Sequence, residues 1–162
     1  MNGMKSYRIA LEPENDVYAG LLNSSLTLSS EGLLVVRDTI DLAKGGAAIL
    51  TRLRPFIVAE TRESRWPGTM LLDDQTASIF RFSICADSVN VLLHSARRLY
   101  DWQQPERPED LGLVRANGTP FLISIAHESE AYLVATDNEL ERLRKAVPNL
   151  GPLVLEDIGD LT

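Results

Sequence analysis

Leu111-Gly112-Leu113-Val114-Arg115-Ala116-Asn117-Gly118-Thr119-Pro120-Phe121-Leu122-Ile123-Ser124-Ile125-Ala126-His127 is the stretch on which the fold turns. Two β-prone runs, Leu111–Ala116 and Thr119–His127, flank Asn117-Gly118, a dipeptide that tolerates the positive φ of a two-residue hairpin loop. A type I′ turn there pairs Ala116 with Thr119, Val114 with Phe121 and Gly112 with Ile123. Pro120 then falls in a pair that exchanges no backbone hydrogen bonds, so its missing donor does no harm.

Working outward, Ala131–Ala135 reads as a third strand after the polar break Glu128-Ser129-Glu130. Thr136 and Glu139 make a capping box for a helix with Leu140, Leu143 and Val147 on one face. Glu141 and Lys145 sit at i,i+4, and Pro148 and Gly151 close that helix. Leu153–Leu155 is expected to add an edge strand. Upstream, Asp87–Trp102 carries Val89, Leu92, Leu93, Ala96, Leu99 and Tyr100 at helical spacing, with Asp87 or Ser88 placed to cap it. Ala77–Cys85 suits a buried strand, Ser6–Leu11 alternates like a half-buried one, and Leu26–Ser30 and Leu33–Arg37 read as two more. Asp38–Lys44 is expected to be a short helix stopped at Gly45-Gly46. Periodicity leaves Ala47–Ala59 open between helix and strand. Glu60–Gly68 reads as a polar loop ending in the turn Trp66-Pro67-Gly68.

Strands followed by helices, with a tight hairpin, predict an α+β domain spanning residues 1–162: a mainly antiparallel sheet with helices packed on one face. The 162 residues suffice for a single core, and 44% apolar with 24% charged residues is ordinary globular usage. The single cysteine, Cys85, excludes an internal disulfide and a cysteine zinc cage. Residues 1–8 lack a signal-peptide pattern, and Gly45–Ala59 is broken by Arg52, Arg54 and Pro55, so the expectation is a cytoplasmic protein with no membrane association.

Six of the seven surplus negative charges lie in residues 109–162, which hold ten acidic and four basic side chains. No run of clustered Lys and Arg supports phosphate neutralisation, so nucleic acid is not an expected partner. Between Glu128 and Glu141 there are five acids and no base. The capping box accounts for Glu139 and the helix dipole for Asp137. Glu128, Glu130 and Glu141 are left to face a basic partner.

Candidate chemistry is sparse. Ser124, His127 and Glu128 suggest a hydrolase, yet strand alternation sends Ser124 and His127 to opposite faces, and there is no Gly-x-Ser-x-Gly elbow. His127 reads better as a strand-end histidine bonded to backbone, Glu128 or Glu130. His94 falls on the polar face of its helix, Asp73-Asp74 serve a turn, and Lys44-Gly45-Gly46 lacks phosphate-loop spacing. No metal or cofactor is expected. Cys85 reads as a small core residue. Trp66, an aromatic outside any periodic stripe, is a candidate interface anchor but reads better as packed back over the core, and Trp102 reads likewise.

Tyr100-Asp101-Trp102, Pro108-Glu109-Asp110-Leu111, Asn117-Gly118, Ser124-Ile125-Ala126-His127-Glu128 and Ala131-Tyr132-Leu133 together resemble small uncharacterised bacterial cytosolic proteins, some of which are immunity partners of secreted toxins. The resemblance covers about the last 60 residues. It implies a toxin-binding role and carries over no catalytic residue. The leading expectation is therefore a non-enzymatic acidic protein-binding module, of the immunity-inhibitor type, using Glu128, Glu130, Glu141 and Trp66. A small enzyme with a site at His127, Glu128 and Glu130 is the alternative, and a small-molecule sensor is a third reading.

Overall fold

The hairpin around Asn117-Gly118 lies inside an eight-stranded sheet. A computed structural model describes residues 3–153 and the backbone of residues 155–157. In chain order it contains β1 (Lys5–Ile9), α1 (Asp16–Leu28), β2 (Glu31–Arg37), α2 (Lys44–Leu53), β3 (Ile57–Glu63), β4 (Arg65–Trp66), β5 (Thr69–Met70) and β6 (Ala77–Ser83). There follow α3 (Ala86–Ser95), β7 (Glu109–Val114), β8 (Pro120–Ile125), β9 (Glu130–Ala135), α4 (Asp137–Ala146) and β10 (Leu155–Asp157). The sheet order is β10-β1-β9-β8-β7-β2-β6-β3, and β4-β5 forms a separate hairpin. Neighbouring strands in these sheets pair antiparallel. The α+β class follows directly.

One row of register partners crosses six strands: Tyr7, Leu133, Leu122, Leu113, Gly32 and Phe82. These residues point to the face covered by helices. Their apolar members join one core with Tyr18, Leu21 and Leu22 of α1, Val89 and Leu92 of α3, and Leu140 and Leu143 of α4. Gly32 leaves space for the Phe82 ring, because a Cβ at that position would lie 2.2 Å from the ring. On the opposite face Leu33, Val35, Ala77 and Ile79 pack under Trp66 from the β4–β5 hairpin. Helices on one face and a small hairpin on part of the other bury both sides of β2 and β6.

The Asn117-Gly118 turn differs from the expected type. The Arg115 N–H donates to the Thr119 carbonyl at 2.8 Å, and the Gly118 N–H donates to the Arg115 carbonyl at 2.9 Å. Of the two turn residues only Gly118 has positive φ, +87°. A type I′ turn needs both. The loop is instead a four-residue turn, Arg115–Gly118, closed by a glycine bulge, with the Asn117 Oδ1 accepting from the Thr119 N–H. Leu113 opposite Leu122 keeps the expected register, and the bulge shifts Val114 onto Pro120. Gly118→Val is expected to cost about 1–2 kcal/mol because it forces a β-branched residue to positive φ, while Gly118→Asn costs less. Urea melts of the three proteins check this; equal midpoints would show that the turn has no need of positive φ.

The capping box is present: the Thr136 hydroxyl accepts from the Glu139 N–H, and the Glu139 carboxylate accepts from the Thr136 N–H. Arg115 adds a two-pronged contact to Glu139, 2.9 Å on each prong, and so ties the hairpin to α4. Asp137 accepts from the Tyr7 hydroxyl at 2.6 Å.

Five other expectations are corrected. Leu26–Ser30 is not a strand; Leu26–Leu28 ends α1, whose buried stripe Val17, Tyr18, Leu21, Leu22 and Ser25 runs at helical spacing. Asp38–Lys44 is not a helix. The helix starts at Lys44 and carries Gly45-Gly46 in its first turn, where Ala43 and Pro105 are hydrogen-bonded through the backbone. Glu60–Gly68 is not a loop throughout, because β3 runs to Glu63 as the exposed edge of the sheet, with Glu60, Arg62 and Glu63 as charges that discourage further pairing. The helix expected over Asp87–Trp102 stops at Ser95. There the chain is pulled straight by backbone bonds from Asn15 to Arg97 and from Leu99 to Pro13, which outcompete one more helical turn. Cys85 is not in the core strand but is the N-cap of α3, with its N–H donating to the Ser88 hydroxyl. The expected edge strand over Leu153–Leu155 corresponds to β10, which begins at Leu155 and pairs with β1; Val154 lies outside the described residues.

Candidate functional site

Two single-turn 3-10 helices, Leu99–Asp101 and Ala126–Glu128, lie side by side beyond the ends of β1 and β9. Gln103 clamps them, its side-chain amide donating to the Tyr100 carbonyl at 2.8 Å and to the Ala126 carbonyl at 3.3 Å. Glu12, just past β1, accepts from the Tyr100 N–H at 2.8 Å. On the sheet Arg8 stands opposite Tyr132, whose hydroxyl donates to Glu130 at 2.8 Å. The result is a surface with Tyr100 and Tyr132 half-buried and the carboxylates Glu12, Glu128 and Glu130 around them; Leu11, next to Glu12 in the chain, is 57% exposed.

The titration of this surface follows its crowding. Burial pushes Tyr100 up to about 12, helped by the negative charges of Glu12 and Glu130. The hydrogen bond to Glu130 raises Tyr132. Burial raises Glu12 against the pull of the Tyr100 N–H and Arg98. Both phenols therefore stay protonated at neutral pH, and that of Tyr132 donates to Glu130.

Below this surface lies a buried charge network. The Arg37 Nε is 2.7 Å from Glu109 Oε2, and its guanidinium sits 5.4 Å from the centre of the Trp66 ring. The contact is coulombic; neither atom is aligned for a hydrogen bond. Asp110 occupies a bulge in β7 at φ +56°. Its carboxylate accepts from the Trp66 indole N–H and from the Ala126 N–H, each at 3.0 Å. Burial raises Glu109, with Arg37 pulling the other way.

Glu109, Asp110 and His127 offer three donor atoms within 4.8 Å, the one such gathering among the described residues. Both Asp110 oxygens already hold N–H donors, and Arg37 stands beside Glu109. The set thus joins β7 to β4 and to the Ala126–Glu128 turn as a packed polar layer.

The residues singled out from the sequence separate in space and in duty. The Ser124 hydroxyl is buried and donates to the Leu111 carbonyl at 2.7 Å, away from any base. His127 is exposed, with Nε2 at 3.6 Å from Glu128 Oε1. Trp66 is 6% exposed, so it is a core residue and not an exposed interface anchor. Trp102 is fully buried. Glu128, Glu130 and Glu141 are not without local duty, as the sequence suggested: they contact His127, Tyr132 and Lys145 respectively. Glu141 sits on α4 among Arg142, Arg144 and Lys145, apart from the tyrosine surface. Sequence reading missed Glu12, Tyr100 and Tyr132, because their meeting depends on β1 pairing with β9; the exposed Leu11 at a strand end was the available signal.

Among the described residues no helix is long and apolar enough to cross a membrane. Comparison with family models, with curated proteins and with solved structures found no match to this chain.

Proposed function

We propose that the chain is a non-enzymatic protein-binding module that receives a basic partner on the tyrosine surface, in the manner of an immunity-type inhibitor. The observation that supports this reading is the composition of that surface: Tyr100 and Tyr132 among Glu12, Glu128 and Glu130, with Arg8 as the neighbouring cation. Tyrosine at such a position supplies large contact area and a hydroxyl at low entropic cost, and peripheral carboxylates steer a cationic partner inward. The groups able to do covalent chemistry are engaged in structure: Ser124 holds a carbonyl, Cys85 caps α3, and His127 faces Glu128. The cytoplasm is the setting proposed for this encounter.

Affinity capture from an extract of the source cells, followed by association kinetics with the protein retained, tests the proposal. Glu128→Lys combined with Glu130→Lys is expected to slow association by about tenfold or more at low salt and to flatten its salt dependence. Tyr132→Ala is expected to speed dissociation. Glu141→Lys, away from the surface, serves as the control. A partner held equally well by the double reversal and by Tyr132→Ala would remove this surface from binding.

A further inference from the structure

The cationic side chains that look dispersed along the chain are gathered by the fold at the C-terminal end of α3. Arg52 comes from the last turn of α2, which packs against α3. His94 ends α3, Arg97 leaves it on the straightened segment, and Arg107 returns from the connection leading to β7. Two adjoining clefts of about 280 and 440 Å³ open here and share His94, Ser95 and Arg107 in their walls. Arg107 donates from Nε to the Ser95 carbonyl at 2.6 Å, which leaves both its Nη groups unengaged. Arg52 donates to the Ser95 hydroxyl at 3.3 Å, and that hydroxyl donates to the Val91 carbonyl at 2.6 Å. Among the described residues no carboxylate lies within 4.0 Å of the Arg52, Arg97 or Arg107 guanidinium, whereas Arg98 beside them is paired with Glu12 and Glu14.

We infer that this double cleft is an anion site for a phosphate group, with Arg107 and Arg52 as the pinned forks, Arg97 as a third, exposed guanidinium, and His94, whose Nδ1 lies 2.7 Å from the Asn90 carbonyl, on the shared wall. Three guanidiniums without a counterion among the described residues exceed what one carboxylate needs, and they match a tetrahedral dianion with three terminal oxygens. The rim and the whole molecule restrict its size. Asp101 and Glu106 line the clefts, and the chain carries a net charge of −7, so an extended polyanion is repelled while a small one fits between the forks. The phosphate arrives either as the free ion or as a phosphate monoester of a small metabolite. This site is separate from the tyrosine surface and stands whether or not that surface binds protein.

Titration of the labelled full chain with inorganic phosphate, and separately with glucose 6-phosphate, read by amide chemical shifts at constant ionic strength, tests it. Saturable shifts are expected at His94, Ser95, Arg97 and Arg107. Equal affinities identify the free ion as sufficient, and tighter binding of the ester identifies a monoester. Arg107→Gln is expected to weaken binding about tenfold. Arg97→Gln alters an exposed side chain and keeps the test valid if Arg107→Gln is poorly folded; it is expected to weaken binding several-fold. Glu128→Lys with Glu130→Lys should bind phosphate as the wild type does. Shifts that rise linearly and match those from sodium chloride would overturn the inference. So would undiminished binding by Arg97→Gln and Arg52→Gln, or binding of an oligothymidylate without any response to the two phosphates.

Discussion

Trp102→Ala is expected to lower the free energy of unfolding by about 3–5 kcal/mol, the range for deleting a fully buried large aromatic side chain. Trp102 is 0% exposed and belongs to the main core. Its indole N–H donates to the Tyr18 hydroxyl at 3.0 Å, and that hydroxyl donates to the Leu92 carbonyl at 3.2 Å. The chain of two bonds ties the segment after α3 to α1 and to α3 itself. Burial raises Tyr18 well above its ordinary range, so it remains a donor throughout the usable pH range. Trp102→Phe keeps most of the volume but leaves the Tyr18 oxygen without its donor, at a cost of about 1–3 kcal/mol. Urea unfolding of the wild type and both variants reads the two contributions. A loss below about 1 kcal/mol for Trp102→Ala would mean that the indole is peripheral to the cooperative core.

Arg37→Ala is the second large effect. It removes the cation beside Glu109, whose residue is 4% exposed, and leaves that carboxylate beside Asp110 in a buried layer. Breaking a buried pair in this way costs about 3–5 kcal/mol, more than the pair itself contributes. Arg37→Met combined with Glu109→Leu is expected to cost much less, because no charge is stranded. The pH dependence has a definite sign. Glu109 is raised by burial even in the wild type, so its contribution to stability is fullest below its unfolded value and declines as pH rises through its folded value. Without Arg37 the folded value rises further. The penalty of Arg37→Ala should therefore shrink at acid pH, where protonated Glu109 needs no counterion, and be largest near neutrality. A penalty independent of pH would show that the lost interaction is the packing of the guanidinium on Trp66 and not its charge.

The legible parts of this chain were those whose signal is complete within a few residues. Thr136 and Glu139 satisfy each other's backbone donors three positions apart, and the stripe Leu140, Leu143 and Val147 needs only helical geometry. The break at Asn117-Gly118 was visible as well, but the turn type was not. One positive φ with a bulge and two without differ by the twist of the whole hairpin, which its neighbours β2 and β9 help set. The helix over residues 87–102 was overextended because its apolar stripe continues past Ser95. Ala96 and Leu99 are indeed buried, yet they reach the core from an extended break and the single 3-10 turn after it, held by Pro13, Glu14 and Asn15. Burial periodicity alone cannot separate those two ways of pointing a side chain inward.

The candidate sites were the least legible. His127, Glu128 and Glu130 were named for their adjacency, and they do share a surface with the neighbouring Tyr132, but Tyr100 and Glu12 reach it from distant segments of the chain. Arg52, Arg97 and Arg107 likewise form a cluster only after α2 docks on α3. The sequence by itself determined the α+β class, the capped helix α4, the place of the hairpin and the acidic excess of the last third, because propensity, capping and net charge are properties of short stretches. Only the tertiary structure decided that Trp66 is buried on Asp110, that α3 ends at Ser95, and that Arg52, Arg97 and Arg107 line adjoining clefts, because those outcomes depend on long-range strand pairing and helix docking that bring distant residues together.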